Sequence, residues 1–128
     1  MNYSINDIEN AQPFVAPIET HGIVVKVYDG DTITVVTKLQ LQGSPYYKFS
    51  IRLAGIDTPE IRGADKEAAI AARDALANKI MHKEVEITNI KTEKYGRLLA
   101  DIHIDGLHIN QWLIQEGYAK PYFGGKKE

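Results

Sequence analysis

A chain of 128 residues, 44% hydrophobic and 25% charged, is long enough for one buried core and too short for two, and its composition excludes disordered and fibrous architectures. The absence of cysteine removes disulfide frameworks, thiolate metal sites and cysteine nucleophiles, leaving oxygen and nitrogen chemistry. The formal charge of -2 is unevenly placed: Asp7, Glu9 and Glu19 give residues 1–21 a charge of -3, while the remainder carries +1, or +3 with one divalent cation docked, so a polyanionic partner is permitted but not required.

The chain opens with a polar arm, residues 1–21, containing Pro13 and Pro17. It lacks the basic start and continuous apolar segment of a signal peptide, and no apolar run reaches bilayer length. The expectation is a protein without a membrane segment, cytoplasmic if the chain is complete and exported if a leader was removed. The body, residues 22–123, begins with GIVVKVY, where Ile23, Val25 and Val27 alternate, meets the turn pair Asp29-Gly30, and resumes alternation in DTITVVT, which together read as a hairpin. A third strand, YKFSIRLAG, places Phe49, Ile51 and Leu53 on one face and Ser50 and Arg52 on the other.

From Ala64 the period becomes helical, with Ala69, Ala72, Leu76 and Ile80 on one stripe and Asp65 as N-cap. EVEIT alternates again, the loop NIKTEKYG follows, and RLLADIHI aligns Leu98, Ala100, Ile102 and Ile104 before the Asp105-Gly106 turn. A last helix, INQWLIQEG, ends at Gly117, and a short tail covers 124–128. Asn110 and Trp112 are assigned to helix capping and the core, and His21, His82, His103 and His108 show no ligand spacing. Five short, mostly antiparallel strands with a helix after the third suit an α+β protein built on a five-stranded OB-type Greek-key barrel with two helices; an open α+β sheet is the alternative.

Chemistry concentrates at strand ends. Asp29 reads as a turn residue, whereas Asp31 falls at the start of a strand, where a carboxylate is unfavourable unless a cation compensates it. In IDTPE, Pro59 stiffens the corner between Asp57 and Glu60, able to offer a side chain and a peptide oxygen to a hard cation such as Ca²⁺, or simply a helix-entry turn. Arg52 and Arg97 each read singly as solvated strand residues. As a set, three carboxylates and two arginines at strand ends suit a phosphodiester, since arginine forks grip its oxygens while a carboxylate-held cation neutralises charge and orients water. Tyr95, Tyr122 and Phe123 are candidate stacking platforms.

DGDT, RLAGIDTPE and KYGR, in this order around an OB-type pattern from about Gly22 to Tyr122, resemble the thermonuclease (staphylococcal nuclease-like) family. The resemblance implies Asp31 and Asp57 as side-chain Ca²⁺ ligands and Thr58 as a backbone-carbonyl ligand, with Glu60 positioning or deprotonating the attacking water. It implies Arg52 and Arg97 as the arginines that hold the phosphate and stabilise the pentacoordinate transition state, and it places Lys94 and Tyr95 beside bound nucleotide; Tyr122 joins them as a substrate-binding candidate on its aromatic face alone. The implied activity is Ca²⁺-dependent hydrolysis of DNA and RNA, single-stranded or frayed, with little sequence specificity, leaving 3′-phosphates; a monomer is expected. A noncatalytic OB-type module that binds nucleic acid or protein is the alternative, and a structural Ca²⁺-binding barrel a third reading that leaves Arg52 and Arg97 without a task. The segment IRGAD after Glu60 is shorter than in the best-known member, the chain stops soon after PYF, and the charge is near neutral, which leaves substrate preference open.

Overall fold

Alternation along the strands decides which way the sheet curls. Inward residues such as Ile33, Val35, Ile51, Leu53, Ile87 and Ile102 are fully buried, and their neighbours in sequence face out. The structure, a computed structural model, describes residues 2–123, so the tail 124–128 lies outside the described residues. The five long strands are β1 (His21–Asp29), β2 (Thr32–Lys38), β3 (Tyr46–Leu53), β5 (Glu84–Thr92) and β6 (Leu98–Ile104), with β4 (Ile56–Asp57) a short piece after β3. β1 pairs antiparallel with β2 and β5, β2 with β3, and β5 with β6. The parallel pairing of β3 with β6, Ile51 opposite Leu98 and Leu53 opposite Ala100, closes the cylinder. This is the mixed, closed five-stranded barrel of the OB type, and closure removes the open edges of the α+β alternative.

Helix α2 (Lys66–Ile80) follows β4, and the Asp65 side chain caps it by accepting from the Ala68 N–H at 3.1 Å. Its buried stripe is the expected one, Ala69, Ala72, Leu76 and Ile80, and burial of Leu76 and Ile80 contributes about 2 kcal/mol each. The strand β5 runs further than EVEIT, through Thr92, so the expected loop shrinks to the turn 93–97, closed by the Glu93 N–H donating to the Arg97 carbonyl at 2.7 Å. After β6 come the short β7 (Leu107–His108), α3 (Ile109–Gln115) and β8 (Lys120–Pro121), which pairs with β4. Gly117 has φ 81°, the left-handed geometry that ends a helix and that glycine takes without a Cβ penalty.

Two features go beyond the alternation. The arm before β1 carries a one-turn helix, α1 (Ile5–Glu9), held by reciprocal bonds between Ser4 and Asp7, and its Ile18 is 1% exposed and bridged to Leu39. Asn110 does not cap α3. Its buried side chain accepts from the Ile102 N–H at 3.0 Å and donates to the Ala54 carbonyl at 2.8 Å, tying the end of β3 to β6. Among the described residues, no helix is long and apolar enough to cross a membrane.

Candidate active site

The hairpin β1–β2 and the corner after β4 meet because Gly30 allows it. A Cβ at Gly30 would lie 2.8 Å from the Ala72 Cβ and 2.9 Å from the Thr58 Cγ2, so only glycine lets the DGDT turn seat on the corner and on α2. That seating places Asp31, just before β2, where one carboxylate oxygen accepts from the Thr58 N–H at 3.2 Å and the other from the Thr32 hydroxyl at 3.1 Å. The Leu53 N–H donates to the Asp31 carbonyl at 2.8 Å, fixing the turn to the end of β3.

Arg52 sits between these acids. Its guanidinium donates to the carbonyls of Leu53 at 3.1 Å and Ile56 at 2.9 Å, which aims it back under the corner. One terminal nitrogen then lies 3.7 Å from an Asp31 oxygen and 3.8 Å from an Asp57 oxygen, and the Tyr122 ring stands 5.3 Å from the guanidinium carbon. Tyr122 is thus a wall for Arg52. The Thr58 hydroxyl is buried without a hydrogen-bond partner among the described residues.

One cleft of 430 Å³ is lined by Tyr28, Asp29, Asp31, Arg52, Glu60, Arg62, Arg97 and Tyr122, among others. An adjoining hollow of 530 Å³, lined by Asp57, Thr58, Pro59, Glu60 and Lys120 with neighbours from 117–119, shares Glu60 with it. The rim therefore brings together Asp31, Arg52, Glu60, Arg97 and Tyr122, with Asp57 and Thr58 immediately beside them. Arg97 is half-exposed and paired through Nε to Glu93 at 3.0 Å. Lys94 and Tyr95 line neither cavity: they ride on the exposed 93–97 turn, where Tyr95 has φ 64° and is fully exposed. Phe123 is exposed and lines neither cavity.

Sequence reasoning passed over Asp29, Tyr28 and Arg62. Asp29 is no bare turn residue: it is the last residue of β1, 8% exposed, pairs with Thr32 across the hairpin, and accepts from the Asp31 N–H at 3.1 Å. Burial, reinforced by the hydrogen bond and charge of Asp31, pushes the Asp29 carboxyl up to about 6. At Asp31 burial acts in the same upward sense, but the bond with Asp29, the Arg52 charge and the Thr58 N–H outweigh it, and the carboxyl is held below its ordinary value. Only Arg62, two residues after Glu60 in EIRG, left a readable signal: a third arginine next to the acidic corner.

A raised folded-state value means that folding costs more once Asp29 must ionise. Stability falls as pH rises from about 4 through about 6. In chelator, Asp29→Asn keeps the oxygen that accepts from Asp31 and removes that cost, so its unfolding free energy, from urea titration, should exceed the parent's at pH 7 by about 1–2 kcal/mol, reduced by solvent screening in the open cleft, and match it at pH 4. A gain independent of pH would refute the assignment.

The barrel and its cleft define a class: OB-type proteins that gather carboxylates and guanidinium groups on one rim. Residues 50–128 match the family model described as staphylococcal nuclease homologue. The chain belongs to the staphylococcal nuclease homologue family. It is similar to an "Uncharacterized endonuclease" of Escherichia coli O157:H7, 31% identical over 105 residues that cover 81% of this chain and 62% of that protein. It is also similar to a "Micrococcal nuclease" of Shigella flexneri, 34% identical over 110 residues covering 79% of this chain and 58% of the relative. "Protein ParB" of Escherichia coli is 31% identical over 113 residues, 81% of this chain and 58% of the relative. The chain spans about three fifths of the length of the curated relatives it matches.

Proposed function

We propose that the chain is a nuclease, hydrolysing phosphodiester bonds of DNA and RNA in single-stranded or frayed form with little sequence specificity and leaving 3′-phosphates. The observation that carries this reading is the shared cleft: Arg52, Arg62 and Arg97 line the same space as Asp31 and Glu60, so both charge signs border one cavity, as a bound phosphodiester would require. The nuclease names of relatives in the same family support it.

Asp31, Asp57 and the Thr58 carbonyl would hold Ca²⁺. Among the described residues no three His, Cys, Asp or Glu side chains are grouped to hold an ion. Two carboxylates, a peptide oxygen and water would be an all-oxygen donor set, the chemistry of a hard cation, and one Arg52 nitrogen within 3.8 Å of both Asp31 and Asp57 puts the two carboxylates near one point. When bound, Ca²⁺ supplies charge neutralisation and orders water beside the phosphate. The protein's own part is electrostatic. Arg52, fixed by two carbonyls, and Arg97, reaching in from the 93–97 turn, take the equatorial oxygens as negative charge accumulates on them. Glu60 positions the attacking water or accepts its proton as the new P–O bond forms and the bond to the 5′ oxygen breaks, the leaving alkoxide taking a proton from solvent.

The test is digestion of heat-denatured DNA and of RNA with Ca²⁺, with Mg²⁺ and with chelator. Cutting that requires Ca²⁺ and yields 3′-phosphate ends is expected. Cutting unaffected by chelator would overturn the metal assignment, and binding without cutting under every condition would favour the noncatalytic module.

A further inference from the structure

The outward face of β1, β2 and β3 leads away from the cleft in regular rungs. At the cleft end Asp29, Thr32 and Arg52 stand abreast; next come Lys26, Thr34 and Ser50, then Ile23, Val36 and Lys48, and last Lys38 beside Tyr46. Beyond Asp29 no rung contains an acidic side chain, although the chain as a whole carries -2. Acids lie at its borders: on β5 Glu84 pairs with Ile23 and Glu86 with His21, and in the arm the exposed Glu19 donates its backbone N–H to the Lys38 carbonyl at 2.9 Å.

Aromatic rings interleave with these lysines. Tyr28 is 50% exposed and also lines the cleft, with the Lys26 ammonium 5.9 Å from its ring; Tyr46 is 69% exposed, with Lys38 at 4.7 Å. Strand β3 from Arg52 to Tyr46 runs about 20 Å, the reach of a few extended nucleotides.

We infer that this face is the track of a single-stranded nucleic acid entering the cleft, with backbone phosphates on Lys26, Lys48 and Lys38 and unpaired bases against Tyr28 and Tyr46. The identity of the occupant rests on the nuclease reading. Charge complementarity and continuity with the cleft select a polyanion, and exposed rings between the cations select one whose bases are unpaired, because a duplex offers no base faces to stack on. The rungs beyond Asp29 hold no Asn, Gln, Asp or Glu side chain, in keeping with binding that tolerates any sequence.

The experiment is fluorescence anisotropy of a labelled short oligothymidylate in chelator, titrated over salt, where binding is read without cutting. Lys26→Ala with Lys48→Ala should weaken binding about tenfold at low salt and flatten the log–log salt slope by about 1.4, which is about 0.7 for each lost phosphate contact. Tyr28→Ala and Tyr46→Ala should each weaken binding about fivefold or more with the slope unchanged. Lys66→Ala with Lys83→Ala, outside the three strands, should leave both readouts as in the parent. Equal losses in the two lysine pairs, an unchanged slope in the first, or a parent that captures polyglutamate and not the oligonucleotide would overturn the track. A parent that binds as expected but never cuts would leave the track standing and remove the nuclease reading.

Discussion

Arg97→Ala should lower turnover on single-stranded DNA about 10³-fold while the protein still folds. The two halves of that expectation come from different observations. Arg97 reaches the cleft from the short turn between β5 and β6, and its ion pair with Glu93 is an exposed one, worth less than about 1 kcal/mol to the fold. Little else in the barrel depends on it. In the transition state, by contrast, a guanidinium beside the equatorial oxygens meets charge that the ground state does not carry, so the loss should fall on kcat rather than on KM. Arg97→Lys should recover only part, because an ammonium cannot grip two oxygens in one plane. Steady-state kinetics with circular dichroism and urea unfolding separate the outcomes. A variant that cuts at the parent's rate removes Arg97 from the mechanism; one that loses cutting only through unfolding makes it a structural residue.

Much of the barrel was legible because its strands face a core on one side only. Period-two alternation in β1, β2, β3 and β6 and the helical stripe of α2 report burial directly, and burial is what folds the chain. The parallel closure of β3 on β6 was not readable, since pairing between strands distant in sequence leaves no local period. The true end of β5 was hidden for a related reason: an irregularity between Thr88 and Lys91, with Asn89 at φ 52°, breaks the alternation while the strand continues.

The site divides in the same way. Asp31, Arg52, Asp57, Glu60 and Arg97 stand out as charges where strands end, and the fold gathers them around two adjoining cavities. Asp29 was dismissed because Asp-Gly is so strong a turn signal that it masks any second role. Only the seating of Gly30 against Thr58 and Ala72 makes its carboxylate a buried neighbour of Asp31. Tyr28 was invisible for a simpler reason: outward side chains are not constrained by the core, so nothing in the pattern says which cavity they border; Arg62 stood in view beside the acidic corner, but nothing in the pattern said that it lines the cleft. The placing of Lys94 and Tyr95 beside nucleotide came from the family motif alone, and in this chain they point to no cavity wall.

Arg52→Met should be the most damaging single change, abolishing measurable cutting and lowering stability by about 3–5 kcal/mol in chelator. Its side chain is 16% exposed and holds four partners at once: the carbonyls of Leu53 and Ile56 and the carboxylates of Asp31 and Asp57. Methionine fills the stem's volume but leaves two acids facing each other without a countercharge. The pH dependence has a definite sign. Asp31 is held below its ordinary value partly by Arg52, so it contributes stability that is present above about pH 4 and lost as pH falls through its lowered folded value. The variant forfeits the arginine's share, and the gap between variant and parent should be widest near neutrality and close in acid. The same loss makes a cation more welcome. If Asp31 and Asp57 are its ligands, added Ca²⁺ should raise the variant's melting temperature more than the parent's, because it relieves repulsion that Arg52 relieves in the parent. A large stability loss that Ca²⁺ does not repair would keep Arg52 as the keystone of the corner and dissociate the two carboxylates from metal binding; a loss below about 1 kcal/mol would show that the corner holds without it.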